Sequence, residues 1–299
     1  MSEHFFEIRA FLGTDNTSDL AVIGLPKKAG MFFFKLDNVD IDDAWKLHRR
    51  KGHGSSIYSG TKIRSMWGNE KIMLFADGTT LKYMDGYNIA HDLITDITAD
   101  EKFSYAELGY LVFFASPLSV GYINANTATA YPFPDPTEKF KFKMVGGQCI
   151  EYYNSRIYTG LGNNLFFSDA TVVTRMDGRK NAIAFPSRIT MLKAVNTGLY
   201  ISDSEKVYFL KGRDPITEFI QLNVLDVPAI EGMSVANKVK GKVTKKIVYW
   251  MTKKGPYAGY DDGIVFPQQK GLYNLDGLIS GSAILKDGNY QQLVMVGQY

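Results

Sequence analysis

Four histidines, one cysteine and several clustered aspartates are the side chains best placed to do chemistry, and their spacing decides how much. His4, His48, His53 and His91 fall in the first third, with no H-x-x-x-H or H-E-x-x-H pair that would aim two imidazoles at one zinc ion. Cys149 is alone, which excludes an intramolecular disulfide and a multi-cysteine metal site. Set between Gln148 and Ile150 at the start of an expected strand, it reads as a small buried apolar filler. No metal and no cofactor are expected. The chain has neither a G-x-S-x-G nucleophile elbow nor a Walker-type phosphate loop. Gly160-Leu161-Gly162 opens like a dinucleotide fingerprint but runs into Asn163-Asn164 and a strand, so turn glycines explain it better.

Paired carboxylates need separate weighing, because two acids flanking a glycosidic bond can hydrolyse it. Asp37, Asp40, Asp42 and Asp43 cluster without the ligand spacing or the terminal Glu of a calcium loop. Asp261-Asp262-Gly263 is ordinary turn chemistry ahead of a strand. Together with Tyr257 and Tyr260, Asp261 and Asp262 are the candidates for a glycan-binding or glycan-cleaving site. Two basic segments remain. Arg49, Arg50 and Lys51 form the core of one; Lys238, Lys240, Lys242, Lys245 and Lys246 form the other. Alternate spacing sets Lys238, Lys240 and Lys242 on one face of an extended segment. Lysines there guard a solvated edge, or dock the chain electrostatically onto an acidic partner or DNA.

The elements that would position these residues are hairpins. Arg156 to Asp169 reads RIYTGLGNNLFFSD, two apolar runs joined by a Gly- and Asn-rich bend that needs positive φ. Lys71 to Met84, Leu111 to Asn124 and Gly198 to Leu210 repeat the unit, and Gly263 to Asp276 is expected to be a fifth copy. The first four recur at intervals of about 40 to 45 residues, the period of propeller blades. Ala182 to Phe185 and Glu218 to Leu222 follow their hairpins as outer edge strands, and Lys246 to Met251 is a strong strand inside a longer gap before the fifth copy. With 28 Gly, 18 Tyr and 19 Phe in 299 residues, the composition suits many short strands and tight turns.

The expected fold is therefore all-β: a β-propeller of about six blades, with five or seven still open and a non-circular array of hairpins as the competitor. Residues 1–30 form an N-terminal strand or arm, and residues 31–299 form the propeller. A strand from the N-terminal end would complete the last blade and close the ring, removing two open sheet edges. The net charge of +3 is far from the footprint of a dedicated nucleic-acid binder. The N-terminal MSEHFFEIRAFLG lacks the apolar core of a signal peptide, and no apolar run approaches the ~20 residues of a membrane span. A soluble protein made in the cytosol is expected.

Residues 36–53, LDNVDIDDAWKLHRRKGH, pair an extended Asn-Val-Asp-Ile segment with an Arg-Arg-x-Gly turn, and with GLYISDSEKVYFLKG and YNSRIYTGLGNNLFFSD they carry a resemblance. The pattern, from about Met31 onward, is similar to the packaged-DNA stabilisation, tail hub and nozzle proteins of short-tailed bacteriophages. The resemblance implies a virion component rather than an enzyme, made in the host cytoplasm and placed in the tail. It implies a ring of six copies below the portal and adaptor that helps retain and conduct the genome and docks other tail proteins and fibres, with non-specific contact to DNA in the channel. Arg49, Arg50 and Lys51, or the lysines from 238 to 246, would make the contacts with a neighbour or with DNA. The alternative is the glycan-binding or glycan-cleaving propeller built on Tyr257, Tyr260, Asp261 and Asp262.

Overall fold

In the first strand of each hairpin unit, apolar side chains follow one another instead of alternating with polar ones, as in Leu111-Val112-Phe113-Phe114-Ala115. Such a strand must be covered on both faces, because successive side chains point opposite ways. A computed structural model describes residues 11–14, 31–33, 39–41, 47–49, 56–69, 71–239, 245–268, 275–286 and 292–298, and it shows that cover. Phe114 packs with Leu74, Leu81 and Tyr105 on one side, while its neighbour Phe113 packs with Ile150, Ile157 and Met176 on the other.

Four short strands come first. β1 (Phe11–Thr14) pairs in parallel with β2 (Met31–Phe33), and β3 (Val39–Ile41) pairs antiparallel with β4 (Leu47–Arg49). The first four-stranded antiparallel sheet is β5 (Ile63–Gly68), β6 (Met73–Asp77), β7 (Thr80–Met84) and β8 (Ala90–Ile94). The second is β9 (Ser104–Leu108), β10 (Leu111–Ala115), β11 (Val120–Asn124) and β12 (Thr129–Pro132). A connection carrying β13 (Lys141–Lys143) leads to β14 (Cys149–Tyr153), β15 (Arg156–Leu161) and β16 (Asn164–Phe167). Then β17 (Arg175–Asp177) pairs back with β13, and β18 (Ala182–Ala184) becomes the fourth strand of the third sheet. The fourth sheet is β19 (Met191–Val195), β20 (Gly198–Ser202), β21 (Val207–Lys211) and β22 (Ile220–Leu225). The fifth is β23 (Ser234–Val239), β24 (Lys245–Thr252), β25 (Gly255–Gly259) and β26 (Val265–Pro267). A two-stranded unit follows, β27 (Ser280–Lys286) with β28 (Gln292–Gln298).

The first strands of successive sheets lie side by side, β9 on β14, β14 on β19, β19 on β23 and β23 on β27. This is a β-propeller: among the described residues it has five four-stranded blades and a sixth unit of two strands. Each seam between blades is its own apolar cluster. Tyr158, Leu165 and Phe167 meet Leu192, Leu199 and Ile201 between the third and fourth blades. Tyr200 and Phe209 meet Val248 and Trp250 between the fourth and fifth, and Met233 meets Leu278 beyond that. Each fully buried side chain of this size contributes about 1.5–3 kcal/mol.

The predicted bend at Gly162 holds, with φ at +59° and Leu161 paired to Asn164 across it. The expected outer strands near 182 and 218 are β18 and β22. The fifth hairpin needs correction. Gly263 to Asp276 is not a hairpin over its described residues; it begins in a short helical turn, Asp261–Gly263, and continues into the outer strand β26. The true fifth hairpin is β24–β25, whose second strand contains Gly255, Pro256 and Gly259 and so looks like a turn in sequence. Among the described pairings β1 to β4 pair only with one another, and β1, from the expected N-terminal arm, pairs with β2, just beyond residue 30. Closure of the last blade by an N-terminal strand is not among those pairings.

Candidate functional site

Each first strand begins where a connection arrives from the blade before, and polar groups at the ends of second strands receive these connections. Asp77 at the end of β6 accepts hydrogen bonds from the backbone N–H groups of Lys62 at 2.8 Å and Thr61 at 3.0 Å. It also accepts from Thr61 Oγ1 at 3.1 Å and the Tyr58 hydroxyl at 2.8 Å. These donors, the Lys62 N–H foremost, favour the ionised carboxylate and hold it below the usual aspartate range. In the second blade Glu101 accepts from Ser116 Oγ, from Ser119 Oγ at 2.8 Å and from the Thr98 N–H at 3.0 Å. Ser202 Oγ takes the N–H of Ala229 at 2.9 Å as the chain enters the fifth blade.

The openings of six first strands meet at one cavity of about 460 Å³. Its wall takes residues 63–67 from β5, 102–105 at β9, 148–149 at β14, 190–193 at β19, 231, 232 and 234 at β23, and 280–283 from β27. Arg64, Lys102 and Lys193 supply its positive charge and Glu231 its carboxylate. Glu231 is already held in a fork by Arg188, at 2.6 and 2.9 Å. Arg64 donates to the carbonyl oxygens of Glu101 and Gly78, both at 2.8 Å, and of Lys62 at 3.3 Å, and among the described residues it has no ion-pair partner. Lys102 likewise makes no ion pair among them.

Lys193 Nζ lies 3.8 Å from Glu151, and Lys246 Nζ reaches the same carboxylate at 3.6 Å, so β14, β19 and β24 meet in one ion network. Of the eight basic candidates, Lys246 is the one whose side chain is described, and this pairing is where it goes. Arg49, Lys238 and Lys245 lie on β4, β23 and β24, with Lys238 opposite Lys246 in register. Arg50, Lys51, Lys240 and Lys242 lie outside the described residues. Sequence reasoning missed Arg64, Lys102 and Lys193, because they lie far apart in the chain, on β5, just before β9 and on β19, with no motif around any of them.

The second candidate cluster sits elsewhere. The Asp261 carboxylate accepts the Asn196 N–H at 2.9 Å, and the Asp262 carboxylate pairs with Lys211 at 3.0 Å. The backbone N–H of Asp262 donates to Thr197 Oγ1 at 2.7 Å, and Tyr200 OH donates to the Tyr260 carbonyl at 2.6 Å. Tyr257 stacks on Trp250 with ring centroids 6.3 Å apart. The hydrogen bonds and the ion pair tie the fifth blade to the fourth, the ring stack lies within the fifth, and none of these residues lines the axial cavity. Cys149 lies at the cavity wall but is buried, and burial pushes its thiol up to about 12, which removes the thiolate at neutral pH.

No protein-family model and no curated protein matches the chain. Solved structures do. The extracellular domain of a hybrid two-component system protein from B. thetaiotaomicron aligns with a TM-score of 0.50 at 11% identity, over 81% of this chain and 34% of that one. This chain thus spans about a third of that structure. The WD40 β-propeller domain of Doa1 aligns with a TM-score of 0.44 at 7% identity, covering 70% of each chain. The Neurospora crassa Pan2 WD40 domain gives 0.45 at 9%, over 67% of this chain and 61% of that one. The likeness is one of fold.

Proposed function

We propose that the chain is a structural component of a bacteriophage tail, of the hub or nozzle type, and not an enzyme. In this reading copies of it form a ring of six below the portal and adaptor, help retain and conduct the genome, and dock other tail proteins and fibres. One observation carries the proposal most: the segments in which the resemblance resides, Tyr153 to Asp169 and Gly198 to Gly212, form the middle hairpins of two blades. Within residues 36–53, β3 and β4 pair with one another ahead of the first blade in the chain. A propeller suits the role, because its cores lie within the subunit and its loops remain free for neighbours. Interfaces around such a ring are heterologous, one face of a copy meeting a different face of the next. The glycan alternative has less to stand on, since the carboxylates of Asp261 and Asp262 are engaged at a blade seam.

The test is immunogold labelling of purified virions of the source phage with an antibody against this chain. Label confined to the tail is the expected result. Unlabelled virions, with the protein found free in the lysate, overturn the proposal.

A further inference from the structure

We propose that the axial cavity binds a compact oxyanion carrying two negative charges, free phosphate or a phosphate monoester. The argument starts from a charge imbalance. In and beside the cavity stand Arg64, Lys102, Arg188, Lys193 and Lys246, against the carboxylates of Glu151 and Glu231. Glu231 is occupied by the Arg188 fork, and Glu151 is shared between two lysines whose side chains are only 20% and 21% exposed. Arg64 meets carbonyl oxygens and no carboxylate among the described residues. Cations that converge on one cavity in excess of the carboxylates there raise its potential, and a bound dianion balances it.

The remaining chemistry fits the same occupant. The wall carries Ser65, Ser104, Ser234 and Ser282; Ser65 and Ser104 accept the N–H groups of Phe103 and Ile150 and keep their own hydroxyl protons to donate, while Thr190 Oγ1 already donates to the Ala229 carbonyl. A divalent cation is disfavoured by the same charges, and the cavity of about 460 Å³ lies within the range of roughly 300–1,000 Å³ typical of small-molecule sites. The six strands that supply these groups all begin at this cavity, so the site is a property of the assembled blades and of no single segment. The inference is independent of the tail proposal, and either can fail without the other.

Isothermal titration of the full chain at low ionic strength tests it, with inorganic phosphate, glucose 6-phosphate and glucose as probes. Saturable binding of phosphate, or of the ester alone, is expected, and the two outcomes separate the free ion from the monoester. Lys102→Ala and Lys193→Met should each weaken binding at least tenfold, while Lys71→Ala, on an exposed lysine away from the cavity wall, should leave it unchanged. Lys102 is exposed, so its variant decides the matter even where Lys193→Met fails to fold. Glucose binding as well as its phosphate, no binding of either phosphate probe, or equal losses in Lys71→Ala overturns the proposal. So does wild-type affinity in a folded Lys102→Ala.

Discussion

Asp77 draws the entrance of the first blade together with one side chain. Its carboxylate collects two backbone N–H groups and two hydroxyls from residues 58–62, and those bonds exist in full only while it is ionised. Because its folded pKa lies below the unfolded value of about 3.9, its contribution is complete above that pH and is lost as the pH falls through the folded value. Asp77→Asn should therefore lower stability by about 1 kcal/mol, a figure reduced for partial exposure. That corresponds to a drop in Tm of about 2–4 °C at pH 7. Melting curves of both proteins from pH 7 to pH 3 should show that gap hold down to about pH 5 and narrow at pH 4 and below. A gap that widens in acid would refute the assignment of Asp77 as an ionised cap.

At the scale of an element, four of the hairpins were legible because both of their strands are apolar across a bend that glycine or a short polar turn can make. The fifth was not: Pro256 sits opposite Met251 in β25, and Gly255 and Gly259 frame it, so a paired strand carries the composition of a turn. First strands were harder still. Ile63–Gly68 reads IRSMWG, with Ile63 and Met66 exposed and Trp67 packed against the core, so no alternation marks it. The connections that feed these strands are equally cryptic, since their requirement is for room. At Gly146 a Cβ would stand 2.1 Å from the Ser116 carbonyl oxygen and 2.8 Å from that of Ser119. Gly146→Ala must push the second and third blades apart there and should cost about 1–3 kcal/mol, as overpacking does. Gly86→Ala, where nothing lies within 4 Å of the added carbon, is the control and should melt almost as wild type. Equal melting temperatures for the two variants would mean that the blades have slack where none is visible.

For the whole molecule, the order of residues along the chain hides what the blades assemble. Arg64, Lys102 and Lys193 reach one cavity from three blades, and a reading confined to neighbours in sequence cannot bring them together. The same geometry bears on unfolding. Every middle blade contributes one face to each of two apolar clusters: in β20, Leu199 and Ile201 face the third blade and Tyr200 faces the fifth. Loss of one blade would thus expose two seams, a penalty that couples blades more tightly than a stack of independent repeats. Cys149 in the seam between the third and fourth blades and Trp250 between the fourth and fifth report on this coupling, both buried in the native state. In a Trp45→Phe, Trp67→Phe background, Trp250 fluorescence and the reactivity of the Cys149 thiol should change at the same urea concentration. Labelling of Cys149 well before Trp250 moves would mean that the third blade opens alone, and that the seams are separable units instead of one cooperative core.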